Sequence, residues 1–264
     1  MDWLSDFDAR GWARFAHDPA LARWAVAARD PALTAAANPQ ARADWLRCGG
    51  TWFVGVHALA NTPEGFVAGV PLAGQAVDFA AALVGGPFTW DRAQVSICYR
   101  GYPRPWEGES AAAHRYRRNR DAAHVDGLHR TPPDNRRTLG EYHQFLLGIP
   151  LTDSPPRAAP FVVWEGSHLL IREAFARALR PLPPETWHAV DLTEVYQATR
   201  RRIFDECARV ELPVRPGEAT VVHRHALHGM APWPDDLEGP EAGRAIAYFR
   251  PEGDMDRTRW LAGP

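Results

Sequence analysis

The apolar residues change their spacing at Ala93, and this change limits the possible folds more than any other feature. Before it, Leu72, Ala76, Phe79 and Leu83 fall at i, i+4, i+7 and i+11, which marks one buried helix face. After it, Ala93, Val95, Ile97 and Tyr99 alternate with Gln94, Ser96 and Cys98, the period of a half-buried strand. Further strands are expected at 51–57, 122–126, 141–149, 160–164, 210–214, 219–223, 226–229 and 244–250. Ser167 is placed to cap a helix whose face is Ile171, Phe175 and Leu179 and which closes at Pro181; a second helix fits 193–207. Residues 1–47, punctuated by Pro19, Pro31 and Pro39, read as short helices broken at the prolines. The order predicts a single domain over 1–264, mainly β with flanking helices. Its antiparallel core runs from about 93 to 250, with a helical insert at 168–207.

Composition narrows the chemistry. A 45% apolar fraction with eleven Trp can build a sizeable core, and a formal charge of −2 argues against a nucleic-acid binder. All 30 basic residues are arginine, so Schiff-base lysine catalysis and a Walker-type phosphate loop are excluded. Neither GxGxxG nor GxSxG occurs. Cys48, Cys98 and Cys207 form no CxxC pair, which suits a reducing cytoplasm. The acidic start MDWLSDFDARGW lacks the order of a signal peptide, and no apolar run is long enough to span a bilayer. A soluble cytoplasmic protein with no membrane partner is expected.

His124-Val125-Asp126 is the sole His-x-Asp or His-x-Glu in the chain. Residues i and i+2 of a strand face the same way, so an imidazole and a carboxylate can enter one cavity together. A third ligand from a later strand would complete a two-His-one-carboxylate facial triad, the geometry of iron(II) oxygenases. The segment 217–229, GEATVVHRHALHG, offers His223, His225 and His228. Arg100, Arg104, Arg115, Arg117, Arg118 and Arg120 crowd the approach to His124. They read either as a solvated loop or as a lid that pairs with an anionic substrate.

Three segments resemble the phytanoyl-CoA dioxygenase-like family. These are Gly217-Glu218, an apolar strand and then His228-Gly229 with Pro232; Phe145–Leu151 leading to Glu165-Gly166-Ser167-His168; and Arg244 in GRAIAYFR. Together they cover about 93–250 in the family's order. The resemblance implies a double-stranded β-helix (jelly-roll, cupin-like) and Fe(II) held by His124, Asp126 and His228. It also implies 2-oxoglutarate as co-substrate, with its far carboxylate on Arg244 and Arg250 as the second choice. A planar guanidinium suits that role, because it gives two parallel hydrogen bonds to a carboxylate. The implied reaction hydroxylates or desaturates a small molecule with molecular oxygen, converting 2-oxoglutarate to succinate and carbon dioxide.

Met230 and Ile246 stand where the family often carries a hydroxyl, and Trp233 stands where it has Asn. Tyr99, Tyr142 and Thr220 are the candidates for the missing hydrogen bond. Gly217, five residues and then His223-x-His225 also resemble half of a cupin metal motif, without its glutamate. This leaves two alternatives: a cupin-like metalloenzyme on His223, His225 and His228 that does not use 2-oxoglutarate, or a non-catalytic β-helix binding protein. His223 and His225 read as packing residues around the ligand, and His168 as structural. His129 and His143 read as hydrogen-bonded residues that line the pocket or lie near it.

Overall fold

The computed structural model describes residues 3–86, 88–253 and 256–263; the expected domain's residues 1, 2, 87, 254, 255 and 264 lie outside the described residues. The chain opens with α1 (Trp3–Arg10), β1 (Trp12–Phe15), α2 (Pro19–Ala37), α3 (Pro39–Trp45), β2 (Leu46–Arg47) and β3 (Trp52–Phe53). Next come α4 (Gln75–Val84), β4 (Gln94–Cys98), α5 (Ala111–Asn119), β5 (Leu128–Thr131) and β6 (Arg136–Leu139). β7 (Phe145–Pro150) and β8 (Phe161–Trp164) precede the helical insert of α6 (Ser167–Leu179), a 3-10 turn (Pro184–Ala189) and α7 (Thr193–Glu206). The chain ends with β9 (Arg209–Leu212), β10 (Ala219–His223), β11 (His228–Met230), β12 (Arg244–Phe249) and α8 (Arg257–Ala262).

A seven-stranded sheet runs β1-β10-β7-β12-β4-β3-β2, and a three-stranded sheet runs β11-β8-β9. Every pairing is antiparallel, and β5 with β6 forms a separate hairpin. Side-chain alternation sorts the large sheet into two faces. Phe145, Leu147, Ile149, Val221, Ala247 and Phe249 join α2 and α4 in one core. Their alternates Leu146, Val222, Ile246 and Tyr248 meet Phe161 and Val163 of β8 between the sheets. Val162 and Trp164 turn the other way, onto α6 and α7. The layers are therefore helix, sheet, sheet, helix. β4 was expected to be half-buried, but all five of its residues are buried because it is a central strand covered on both faces.

Pro39 falls at the break between α2 and α3 as expected, whereas Pro31 breaks no helix. Pro19 and Pro39 start helices, where the missing N–H costs nothing, behind the side-chain caps of Asp18 and Asn38. Pro31 sits inside α2 without ending it. An interior proline costs about 3 kcal/mol, and here burial of Leu21, Trp24, Ala25, Ala28, Ala32 and Ala36 on the sheet offsets that cost. The 1–47 region is also not wholly helical, since β1 adds an edge strand beside β10. Ser167 does not cap α6; Gly166 holds the cap position, and Ser167 Oγ accepts the Leu227 N–H at 2.9 Å.

The expected strand at 122–126 is a loop with a single bridge, His124 to His228. Asp121 and Ala122 take left-handed backbone angles, φ 53° each, which interrupt an extended run. Asp121 is buried and receives two hydrogen bonds from Arg209, Nε to Oδ2 at 2.7 Å and Nη2 to Oδ1 at 2.9 Å. Removing Arg209 leaves that carboxylate buried and unpaired. Arg209→Ala is therefore expected to lower stability by about 2 kcal/mol. Urea unfolding checks this: the midpoint should fall without a change in slope.

Candidate metal centre

β11 and the 121–127 loop are joined backbone to backbone. The His124 N–H donates to His228 O at 2.8 Å, and the His228 N–H donates to His124 O at 3.0 Å. This contact needs Gly229, because a Cβ there would lie 2.1 Å from Asp121 O. The His-Gly pair in the sequence thus has a steric cause. It brings the two imidazoles to a centroid distance of 4.6 Å, and Phe161 stacks on His228 at 5.4 Å.

Both rings are fixed in one tautomer. His124 Nδ1 lies 3.0 Å from Ala122 O, and His228 Nδ1 lies 3.0 Å from Ala226 O. A carbonyl only accepts, so each Nδ1 carries a proton, which leaves Nε2 as the ring nitrogen available to a metal. Those Nε2 atoms face Asp126: His124 to Oδ1 at 3.3 Å and His228 to Oδ2 at 3.6 Å. The three ligand atoms lie within 4.8 Å of one another, and no other such group occurs among the described residues. Burial works to raise the Asp126 pKa, but the Arg250 charge and the two imidazoles hold it well below the usual carboxylate range. Burial lowers His228 to about 4 despite the nearby Asp126. Two imidazole nitrogens and one carboxylate can hold a divalent transition metal.

The triad lines a cavity of about 170 Å3, walled by Trp52, Tyr102, Leu146, Met230 and Tyr248 among others. A second cavity of about 300 Å3 shares Val56, Gln94 and Arg250 with it. The second cavity is more polar, with Asp91, Glu141, His143 and Glu252 in its wall. His143 is held there by Arg250 O and Glu141 Oε2, each at 3.0 Å. His129 is further out, 3.5 Å from Glu141.

Arg244 and Arg250 occupy the same face of β12 at opposite ends. Arg250 Nη1 reaches Asp126 Oδ2 at 3.4 Å. Arg244 is buried beside Met230, with Nη1 3.5 Å from Sδ, and has no carboxylate partner among the described residues. Thr220 faces the inter-sheet side but stands behind Gly148, where a Cβ would meet both Tyr248 and Thr220 Oγ1. Tyr99 packs with the helix-side core, on the opposite face of the large sheet from the triad. Alternation along β4 puts it there with Val95 and Ile97. Tyr142 lies in the outer cluster against Trp260. Neither tyrosine reaches the metal cavity.

His223 and His225 do not join His228. His223 packs with Phe7 and His168, and His225 packs with Phe175 and Trp260. These three histidines therefore form no cupin-like ligand set, because the chain turns between β10 and β11 and packs the His223 and His225 rings into the interior away from the triad. The arginine cluster also stays away from both cavities. Arg117 pairs with Glu109 and lies over Trp106, Arg100 pairs with Glu238, and Arg120 lies over Phe204. Part of the expected loop is helix α5. Gln94 is the site residue that sequence reasoning missed; its polar side chain on a buried strand was the available signal.

No family model and no curated protein sequence matches the chain. Solved structures do. The "non-heme alpha ketoglutarate dependent carbocyclase SnoK from nogalamycin biosynthesis" aligns over 96% of this chain and 83% of its own, at 15% identity and TM-score 0.52. AviO1 from Streptomyces viridochromogenes Tue57 aligns over 96% and 95%, at 16% identity and TM-score 0.50. EvdMO1 aligns over 96% of this chain and 50% of its own, at 17% identity and TM-score 0.51. At these identities the likeness establishes a shared fold.

Burial holds His168 near 4 and both His223 and His225 well below the ordinary 6.5. Each is favoured in its uncharged form when folded and regains an ordinary proton affinity when unfolded. Their contribution to stability is complete above about pH 6.5 and is lost as pH falls toward about 4. In the metal-free protein, His225→Phe should reduce the slope of stability against pH in that window by up to about 1.4 kcal/mol per unit. Denaturant titrations at several pH values give the slopes; identical slopes would show that His225 is not buried neutral.

Proposed function

We propose that the chain is an iron(II)- and 2-oxoglutarate-dependent oxygenase with a double-stranded β-helix core. It acts as one domain and hydroxylates or desaturates a small molecule. The observation that carries this reading is the triad: two imidazoles held through Nδ1 by carbonyls, with Nε2 facing one carboxylate. The fold shared with SnoK, described as α-ketoglutarate-dependent, supports it. So does Arg244, a buried guanidinium with no carboxylate of its own among the described residues.

In this reading His124, Asp126 and His228 hold the iron, and Arg244 receives the far carboxylate of 2-oxoglutarate. Bound iron would supply the oxygen and redox chemistry, with 2-oxoglutarate as reductant yielding succinate and carbon dioxide. The chain's own residues fix geometry and exclude water. Ala122 O and Ala226 O orient the imidazoles, and Trp52, Leu146 and Phe161 give the cavity apolar walls. Arg250 is too close to Asp126 to be the far anchor, because the second carboxylate of a chelated 2-oxo acid lies beyond two methylenes. Arg244 lies next to Met230, the residue two past His228, and is the candidate for that role. Its neighbours Met230 and Ile246 leave the guanidinium as the main anchor, with no hydroxyl at those positions.

Space also bears on the substrate. A cavity near 150 Å3 holds benzene, with its six carbons. The 170 Å3 metal cavity is close to that size, so 2-oxoglutarate alone would fill most of it. The second cavity, entered past Gln94 and Arg250, is the natural room for the primary substrate. Its acidic and histidine walls favour a polar small molecule over a long acyl chain.

The test is an anaerobic visible spectrum with Fe(II) and 2-oxoglutarate. Wild type should show a weak metal-to-ligand charge-transfer band. Asp126→Ala should abolish it, and Arg244→Ala should raise the 2-oxoglutarate concentration required by roughly ten- to a hundredfold. A protein that binds iron without the band contradicts the co-substrate assignment. Succinate formation separates turnover from the non-catalytic binding alternative.

A further inference from the structure

The two cavities meet at Arg250. Its Nη1 is 3.4 Å from Asp126 Oδ2, its Nη2 donates to Gln94 Oε1, and its backbone N–H donates to Asp91 Oδ1 at 3.0 Å. Beyond Gln94 lie Asp91 and Glu141 of the second cavity, whose carboxylates also feel the Arg250 charge. The guanidinium thus stands between two groups of acids, with Asp126 on the metal side. Arg250 is the arginine that pairs with Asp126 among the described residues. A buried carboxylate stripped of its cation is strongly unfavourable, so something positive must stand there when no metal does.

A divalent metal on the same three ligands would place a second positive centre on that one carboxylate. Two cations sharing one anion weaken each other's hold. We propose that Arg250 is a charge latch. It is a positioning residue that neutralises Asp126 in the metal-free protein, and metal binding displaces it toward Asp91 and Glu141. Because Arg250 is part of the wall common to both cavities, its displacement joins them. The route from the polar cavity to the triad then exists only in metal-loaded protein. This inference rests on the metal-centre reading above.

The latch is tested with Co(II) alone, its affinity measured by competition with a chelating dye in wild type, Arg250→Gln and Arg250→Lys. Arg250→Gln should bind Co(II) about tenfold more tightly than wild type, a typical coupling between two sites. Its metal-free melting temperature should fall, and saturating Co(II) should restore it. Arg250→Lys keeps the charge and should stay within about twofold of wild type. Arg250→Met, which keeps the apolar stem, is the second neutral variant should the glutamine form not fold. A merely structural arginine would give a melting loss that is the same with and without Co(II). Unchanged or weaker Co(II) affinity in both neutral variants overturns the latch and leaves the metal centre standing. Failure of wild type to bind Co(II) overturns both.

Discussion

The paired backbone hydrogen bonds between His124 and His228 are the contact on which the rest of the site depends. They tie a loop from one part of the chain to a three-residue strand from another, 104 positions later in the sequence. Each neighbouring feature serves that contact. Gly229 lets the loop approach, and Asp121 clamps the loop to Arg209. Ser167 takes up the Leu227 N–H just before β11, anchoring the strand to the helical insert. The two imidazoles are placed by main chain, which is stiffer than placement by side-chain packing alone. Their tautomers are fixed by carbonyls two residues upstream, so both the position and the protonation of the donors follow from the local backbone.

The sheets explain why the cavity lies where it does. Strands buried on both faces leave one face of the large sheet for the helix core and the other for the inter-sheet space. Polar residues on the second face are therefore costly unless they are used or paired. Gln94, Arg244 and Arg250 are such residues, and all three lie near the triad or beside Met230. The helix-side core of the same sheet is mainly apolar, filled by Phe145, Leu147, Ile149 and Val221.

Much of this was legible in the sequence because period-two alternation survives in strands with one polar-tolerant face. β4, β8, β10 and β12 were found within a residue or two, and the HxD with the later His-Gly named the three residues that converge. What was not legible depends on tertiary context. β1 has four residues and makes sense only against β10, and Pro31 is tolerated only because α2 is pressed on the sheet. The 122–126 segment alternates like a strand, yet two left-handed residues and a bidentate arginine decide otherwise. The arginine cluster read either as a solvated loop or as a lid, and three of its members are engaged locally: Arg117 with Glu109 and Trp106, Arg100 with Glu238, and Arg120 over Phe204. Arg250 looked like a spare anchor, and only the fold reveals that it faces Asp126.

The most direct test of the central claim is a crystal structure of iron-soaked protein, grown and kept anaerobic, with an anomalous difference map at the iron absorption edge. The account predicts one strong peak within bonding distance of His124 Nε2, Asp126 and His228 Nε2, at about 2.0–2.2 Å from each. A peak among His168, His223 and His225, or no peak at the triad in iron-saturated crystals, would contradict it.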